Sequence, residues 1–251
     1  MNDITVIIPI HEYNDEINSL LSKAIASVPN DIPLVLSCAP NVVSELQVKD
    51  YGQKNVSFVM DEDTSFQSLV NKAVEKVETK YFSILEFDDI YTDIWFDNVA
   101  KYMKFYPEIS IFLPLTDLYD FQNEKYLGYG NDAAWASSFS EEIGYIDHGC
   151  LENFFDFYLT GSIFNTDDWK KIGGLKKSMK LTFWYEFLLR ATNNDKKIYV
   201  IPKVGYIHNL NRKDSLINIF SETLTEEESG KWVELAKQEQ YFTEDRNKTI
   251  E

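Results

Sequence analysis

"YFSILEFDDIYTDIWF", residues 81–96, joins a short apolar run to three carboxylates within four positions and then to an aromatic, helix-like run. Residues 81–87 lack polar alternation, which is the pattern of a strand buried on both faces. The run closes on Glu86, Asp88 and Asp89. Carboxylates crowded at the end of a buried strand repel one another and resist desolvation, so a cation or water is expected to face them. The bland alternative is local: Asp88 caps the turn, and Asp89 favours the N-terminus of the following helix.

The neighbouring segments repeat the strand–helix alternation. "TVIIPI" (5–10) reads as a buried strand, Asn14 as a helix cap, and Ile17, Leu20, Leu21, Ala24, Ile25 and Val28 as one helical face. Residues 33–37 and 56–60 supply a second and a third strand. Thr64 with Gln67 matches a capping box ahead of the stripe Phe66, Leu69, Val70, Ala73, Val74 and Val77. A helix over 92–106 and a strand over 109–115 complete the series. The expected fold class is therefore α/β, with a mostly parallel central sheet flanked by helices. In such sheets ligands collect beyond the carboxyl ends of the strands.

Residues 120–150 read as a long polar and aromatic excursion, and residues 154–164 as a helix passing into a strand. Then come a short helix capped by Asn165 or Thr166 and stopped by Gly173 and Gly174, a helix over 183–191, and two strands over 197–202 and 204–208. Thr225 with Glu228 opens a last, acidic helix, and residues 243–251 are expected to be loose.

The 251 residues suffice for a large core, and 44% hydrophobic with 15% aromatic composition excludes a disordered chain. A net charge of −17 argues against a nucleic-acid partner. It leaves room for a small anionic ligand held through a divalent cation. Cys38 and Cys150 form no disulfide framework or zinc pattern. No signal peptide is expected from "MNDITVIIPI", and no apolar run is long enough for a membrane span, so a soluble, cytoplasmic protein is expected.

The order and spacing of several motifs resemble the family 2 glycosyltransferases of the GT-A fold over roughly residues 3–216. These are "IPIHEYN" at the first strand's end, Asn71 on the third helix with Glu86 fifteen residues later opening "EFDD", "TGSIFNTDDWKKIGGL", and Arg190 closing "FWYEFLLR". The resemblance implies a domain over 1–216 with a C-terminal helical extension over 217–251, and transfer of a sugar from a nucleotide-diphosphate donor to an unidentified hydroxyl acceptor, with inversion. It implies donor contacts from Pro9, Ile10, His11, Glu12, Ser37, Asn71, Glu86 and Asp88. It also implies Mn²⁺ or Mg²⁺ held by Asp88, Asp89 and His208, which suits hard oxygen and imidazole ligands. A lone histidine such as His208 is more often structural, and Arg212 and Lys213 are readable as diphosphate contacts or solvated charges.

The departures from the family pattern are as informative. The turn after the second strand, "LSCAPN", lacks the usual aspartate. Phe183 and Trp184 stand where the acidic pair carrying the catalytic base is expected. Glu186 lies two residues on, roughly 200° around a helix. Asp147 and His148 are the other candidate bases. A catalytically inactive GT-A-like scaffold or assembly partner is the rival reading. Trp135, Trp169, Trp184 and Tyr185 are read as sugar-stacking or core residues.

Overall fold

Residues 3–52, 54–213, 215 and 224–246 are described by the computed structural model. Seven strands and helices follow the expected alternation: β1 (Ile4–Ile10), α1 (Asp15–Ser27), β2 (Leu34–Cys38), α2 (Pro40–Gln47), β3 (Val56–Met60), α3 (Phe66–Val74) and β4 (Tyr81–Ile84). Every residue of β1 is buried, because its alternate side chains enter two different cores. Ile4, Val6, Ile8 and Ile10 pack with α1, and Ile7 packs with Val70, Ala73 and Val74 of α3. Asn14 caps α1 by accepting from the Ile17 amide at 2.9 Å. Burying Ile17, Leu20, Leu21 and Ile25 contributes about 1.5–3 kcal/mol each.

The chain continues through β5 (Ile90–Tyr91), α4 (Trp95–Phe105), β6 (Ile109–Asp120), β7 (Lys125–Gly130), a 3₁₀ turn (Asp132–Trp135), β8 (Tyr145–Ile146), α5 (His148–Asn153), β9 (Ile163–Asn165), α6 (Thr166–Ile172), α7 (Phe183–Asn193), β10 (Lys197–Leu210) and α8 (Glu226–Glu239). The ten-stranded sheet runs β3-β2-β1-β4-β9-β6-β10-β5, with β7 on β6 and β8 on β10. β3, β2, β1, β4, β6 and β10 share one direction, and the short β9 inserts antiparallel between β4 and β6. Helices α1, α2 and α4 cover one face; α3, α6, α7 and α8 cover the other. The α/β sheet flanked by helices is as the alternation predicts.

Several segments differ from expectation for identifiable reasons. α2 has no apolar stripe long enough to announce it; Pro40 begins it. Gln67 completes no capping box, because its side chain donates to the Met179 carbonyl at 2.8 Å and Ser65 is the N-cap. The excursion over 120–150 is mostly ordered hairpin and turn: β6 runs on to Asp120 and folds back as β7. Residues 154–158 are not helical. The two strands expected over 197–208 are one strand with register shifts around Pro202, which has no amide hydrogen for the ladder. The Thr225–Glu228 capping box forms as expected. Of the tail expected to be loose, Asp245 binds Ser178 and Arg246 binds Glu239, while residues 247–251, like 216–223, lie outside the described residues.

Candidate functional site

The carboxylates of the 81–96 stretch reach their position because β4 stops early. The Leu85 amide still bonds to the Ile7 carbonyl at 2.9 Å, and then the Asp89 amide closes a turn on the Glu86 carbonyl at 3.2 Å. From this turn the chain crosses the carboxyl edge of the sheet to β5, which pairs with Tyr206 and Ile207 of β10. Glu86, Asp88 and Asp89 therefore sit between the end of β4 and the end of β10, beside the loop that follows β1.

β10 and its continuation supply the partners. Asp89, fully buried, accepts from His208 Nδ1 at 2.7 Å and from the Asn209 amide at 2.8 Å. Asp88 accepts from Arg212 Nε at 2.8 Å, and the Asn209 side-chain amide donates to the Asp88 carbonyl. Arg212 Nη2 also donates to Glu12 at 2.6 Å, and the guanidinium lies 5.2 Å from the Phe87 ring centroid. The Tyr206 hydroxyl accepts from the Glu86 amide at 3.1 Å. The Glu86 side chain, part-exposed, makes no hydrogen bond to a described residue. One oxygen or nitrogen from each of Glu86, Asp89 and His208 lies within 4.8 Å of the others.

The electrostatics follow from crowding. Burial raises the Glu86 carboxyl above its ordinary range, and the Asp89 charge adds to this. Burial and Asp89 raise Asp88 also, against the pull of Arg212. Burial would lower His208, but Asp89 outweighs it and lifts the imidazole to about 9. The structure thus answers the crowding with a guanidinium and an imidazolium, which leaves Glu86 without a cation of its own.

His11 packs against Phe87 at 5.0 Å between ring centroids. Both its ring nitrogens are buried with no hydrogen-bond partner among the described residues, and burial holds its pKa below the usual imidazole value.

Other residues singled out from the sequence have different work. Pro9 and Ile10 are buried strand residues, paired with Ser37 and Cys38 of β2. The Ser37 hydroxyl donates to the Leu69 carbonyl at 2.9 Å, tying β2 to α3. Asn71 brackets Leu175, donating to its carbonyl at 2.7 Å and accepting from its amide at 2.9 Å; it buttresses the Gly173–Gly174 loop. Asp147 caps α5 by accepting from the Cys150 amide at 2.8 Å, and His148 Nδ1 lies 3.0 Å from Thr192 Oγ1. Ile146 pairs with Ile198 at the start of β10, so Asp147 and His148 lie on the order of 30 Å along that strand from His208. They are placed at the wrong end of the sheet for proton transfer there. Glu186 is fully buried and forms a two-pronged ion pair with Arg190, at 2.8 and 2.9 Å, as its helical offset from position 184 requires.

Phe183 and Trp184 join an aromatic cluster. Both pack on Phe66, and Trp184 stacks on Phe164 with a 7° interplanar angle. Trp169 lies in the same cluster and Trp135 against Tyr199, so both are packing residues. The metal-competent group is Glu86, Asp89 and His208, where the sequence paired Asp88 with Asp89; Asp88 is turned to Arg212. Tyr206 and Asn209 escaped the sequence reading. Their signal is faint: a polar group following an aromatic at the end of a long apolar strand.

This architecture is GT-A-like. Among solved structures it resembles Staphylococcus aureus TarS, a GT-A-type glycosyltransferase. The likeness to TarS residues 1–349 has a TM-score of 0.60 at 14% identity, covering 97% of this chain and 73% of that one. For TarS 1–349 in complex with UDP-GlcNAc the TM-score is 0.59 at 14% identity, covering 97% and 74%. For its complex with UDP it is 0.54 at 15% identity, covering 95% and 71%. At this identity the likeness establishes the fold. No protein-family model matches the chain, and no curated protein does. Among the described residues no helix is long and apolar enough to cross a membrane.

Proposed function

We propose that the chain binds a nucleotide-diphosphate sugar at the carboxyl edge between β1, β4 and β10 and transfers the sugar to a hydroxyl acceptor by single displacement. The observation that carries this is the crowded cluster of Glu86, Asp88 and Asp89 at the place where open α/β sheets bind ligands, in a fold shared with a protein solved with UDP and UDP-GlcNAc.

The donor set fits a hard divalent ion such as Mn²⁺ or Mg²⁺. Two carboxylates and an imidazole converge, and burial with the neighbouring Asp89 charge raises the Glu86 carboxyl, a shift that a cation there would oppose. Glu86, Asp89 and His208 would hold it, His208 giving up its extra proton as it binds. Such an ion, when bound, would supply positive charge that stabilises the departing nucleotide. On the protein's side, Glu12 is tied to the Asp88 turn through Arg212, and the Tyr206 hydroxyl accepts from the Glu86 amide.

The aromatic side chains at 183 and 184 favour a second reading. With no carboxylate there to take the acceptor's proton, the chain would be a donor-binding scaffold. Thermal melts in UDP- and GDP-sugars, with and without Mn²⁺, test the first claim. Ligand at a hundredfold excess over Kd stabilises by about 2.7 kcal/mol, a Tm rise of roughly 5–10 °C for a chain of this size. No shift with any nucleotide and either metal refutes donor binding. A shift with no turnover in a donor-hydrolysis assay selects the scaffold.

A further inference from the structure

We propose that Arg212 is a transferable counter-ion: in the ligand-free protein it neutralises Asp88 and Glu12, and on donor binding it moves to the diphosphate and releases Asp88. This rests on the donor-site reading above and adds to it a residue role and an order of events. The guanidinium is engaged on both sides, through Nε to Asp88 and through Nη2 to Glu12, and so links the loop after β1 to the turn after β4. These two partners are acids, and the guanidinium's geometry suits phosphate oxygens equally well. Moving from carboxylate to diphosphate therefore exchanges one set of charge-assisted bonds for another.

The strongest sign that this arrangement is provisional is His11. It packs on Phe87, as Arg212 does, and its Nε2 lies 3.8 Å from Glu12, too far for a hydrogen bond. An imidazole with both nitrogens buried and unbonded is rare in a finished core. Beside the clamp there is thus an imidazole whose donor and acceptor make no hydrogen bond to a described residue. Once Arg212 leaves Glu12, the loop bearing His11 is untied from the turn bearing Asp88. His11 then becomes able to bond polar groups of the nucleoside. A divalent ion beside Glu86 and Asp89 places positive charge near Arg212, which further favours its departure.

A static strut and a transferable counter-ion differ in sign. Mn²⁺ binding, by electron paramagnetic resonance, and UDP binding at saturating Mn²⁺, by calorimetry, are measured on the wild-type chain, Arg212→Gln and Glu12→Gln. A counter-ion predicts that Arg212→Gln binds Mn²⁺ about tenfold more tightly and UDP about tenfold more weakly. It also predicts that Glu12→Gln, which removes one tether and keeps the guanidinium, binds UDP more tightly than wild type. Arg212→Gln losing affinity for both probes, or changing neither, overturns the inference, as does weaker UDP binding by Glu12→Gln. If Arg212→Gln fails to fold, the Glu12→Gln arm decides alone. A wild-type chain that binds neither Mn²⁺ nor UDP refutes the donor-site reading itself, a result distinct from any of these.

Discussion

Glu186→Gln separates a buried structural acid from a catalytic base. Glu186 is fully buried, and its carboxylate meets Arg190 Nε at 2.8 Å, Arg190 Nη2 at 2.9 Å and Lys176 Nζ at 3.1 Å. Arg190 also donates to the Ile172 carbonyl and, at 2.7 Å, to that of Gly174. Lys176 donates to the Glu239 carbonyl at 2.6 Å, which ties the end of α8 into the same network. The amide keeps the shape but leaves Arg190 and Lys176 buried without the Glu186 charge, with Glu239, 3.6 Å from Lys176, as the other buried carboxylate of the network. Breaking a buried pair in this way costs about 3–5 kcal/mol, a large share of the 5–15 kcal/mol typical of a folded domain. The expected Tm loss is roughly 6–20 °C. Urea unfolding followed by far-UV circular dichroism should show a lower midpoint at unchanged slope. Arg190→Met should cost a similar amount, and the double variant less than the sum, since it removes both charges. UDP affinity, measured well below the new Tm, should stay at the wild-type value. A stability loss under about 1 kcal/mol refutes the burial argument. Preserved stability with abolished turnover would make Glu186 the proton acceptor after all.

Gly161→Ala should destabilise strongly and spoil the site, because Gly161 has φ +79° and an added Cβ would stand 2.3 Å from the Tyr206 ring; crystallography or UDP-dependent melting would register the displaced Tyr206. Thr225→Ala should cost about 1 kcal/mol by removing the α8 cap, read as a lower urea midpoint. Asp63 is held down to about 2, first by the Lys177 hydrogen bond and then by Ser65. A carboxyl depressed in the folded state contributes stability above its unfolded value of about 3.9 and loses it as pH falls towards 2. Asp63→Asn should therefore lower stability at neutral pH and flatten the acid limb of the stability–pH curve between those values, the two proteins converging as pH approaches 2.

What the sequence discloses depends on how local the cause is. The strands β1 to β4 and the stripes of α1 and α3 are written in consecutive residues, and they form where expected. The Thr64–Gln67 pattern is equally local, yet the Met179 carbonyl competes for the Gln67 amide from 112 positions away. The crowding of Glu86, Asp88 and Asp89 is visible in nine letters, and so is the need for positive charge. The identity of that charge is not, because Arg212 stands 124 positions from Asp88 and 200 from Glu12. Ser37 and Asn71 lie at the strand end and on the helix that the resemblance marks. Their side chains have turned to carbonyls and amides of neighbouring segments, a choice that only tertiary packing makes.

The two halves of the proposed transfer site rest on different kinds of stability. Phe183 and Trp184 improve the core: they extend the cluster of Phe66, Phe164 and Trp169, where aromatic contacts are favourable beyond their buried area. The carboxylate edge does the opposite. It holds Glu86 and Asp88 above their normal pKa values, leaves two His11 nitrogens unbonded, and buries Asp89 in a pairing that apolar residues of similar volume would match or better. A chain needing only a rigid scaffold has no physical use for such a cluster, because neutral packing at the same place would be more stable. Buried groups with perturbed pKa values that lower stability concentrate where a ligand repays their cost. The 183–184 side is packed with aromatic rings while the carboxylate edge is buried and charged, so of the proposed activities donor binding has the firmer structural support. A paired variant that replaces both partners, Asp89→Leu with His208→Leu, should then raise the melting temperature of the free protein or leave it unchanged while abolishing every nucleotide-dependent shift. A large fall in the free protein's Tm would show instead that the carboxylate cluster holds the fold together.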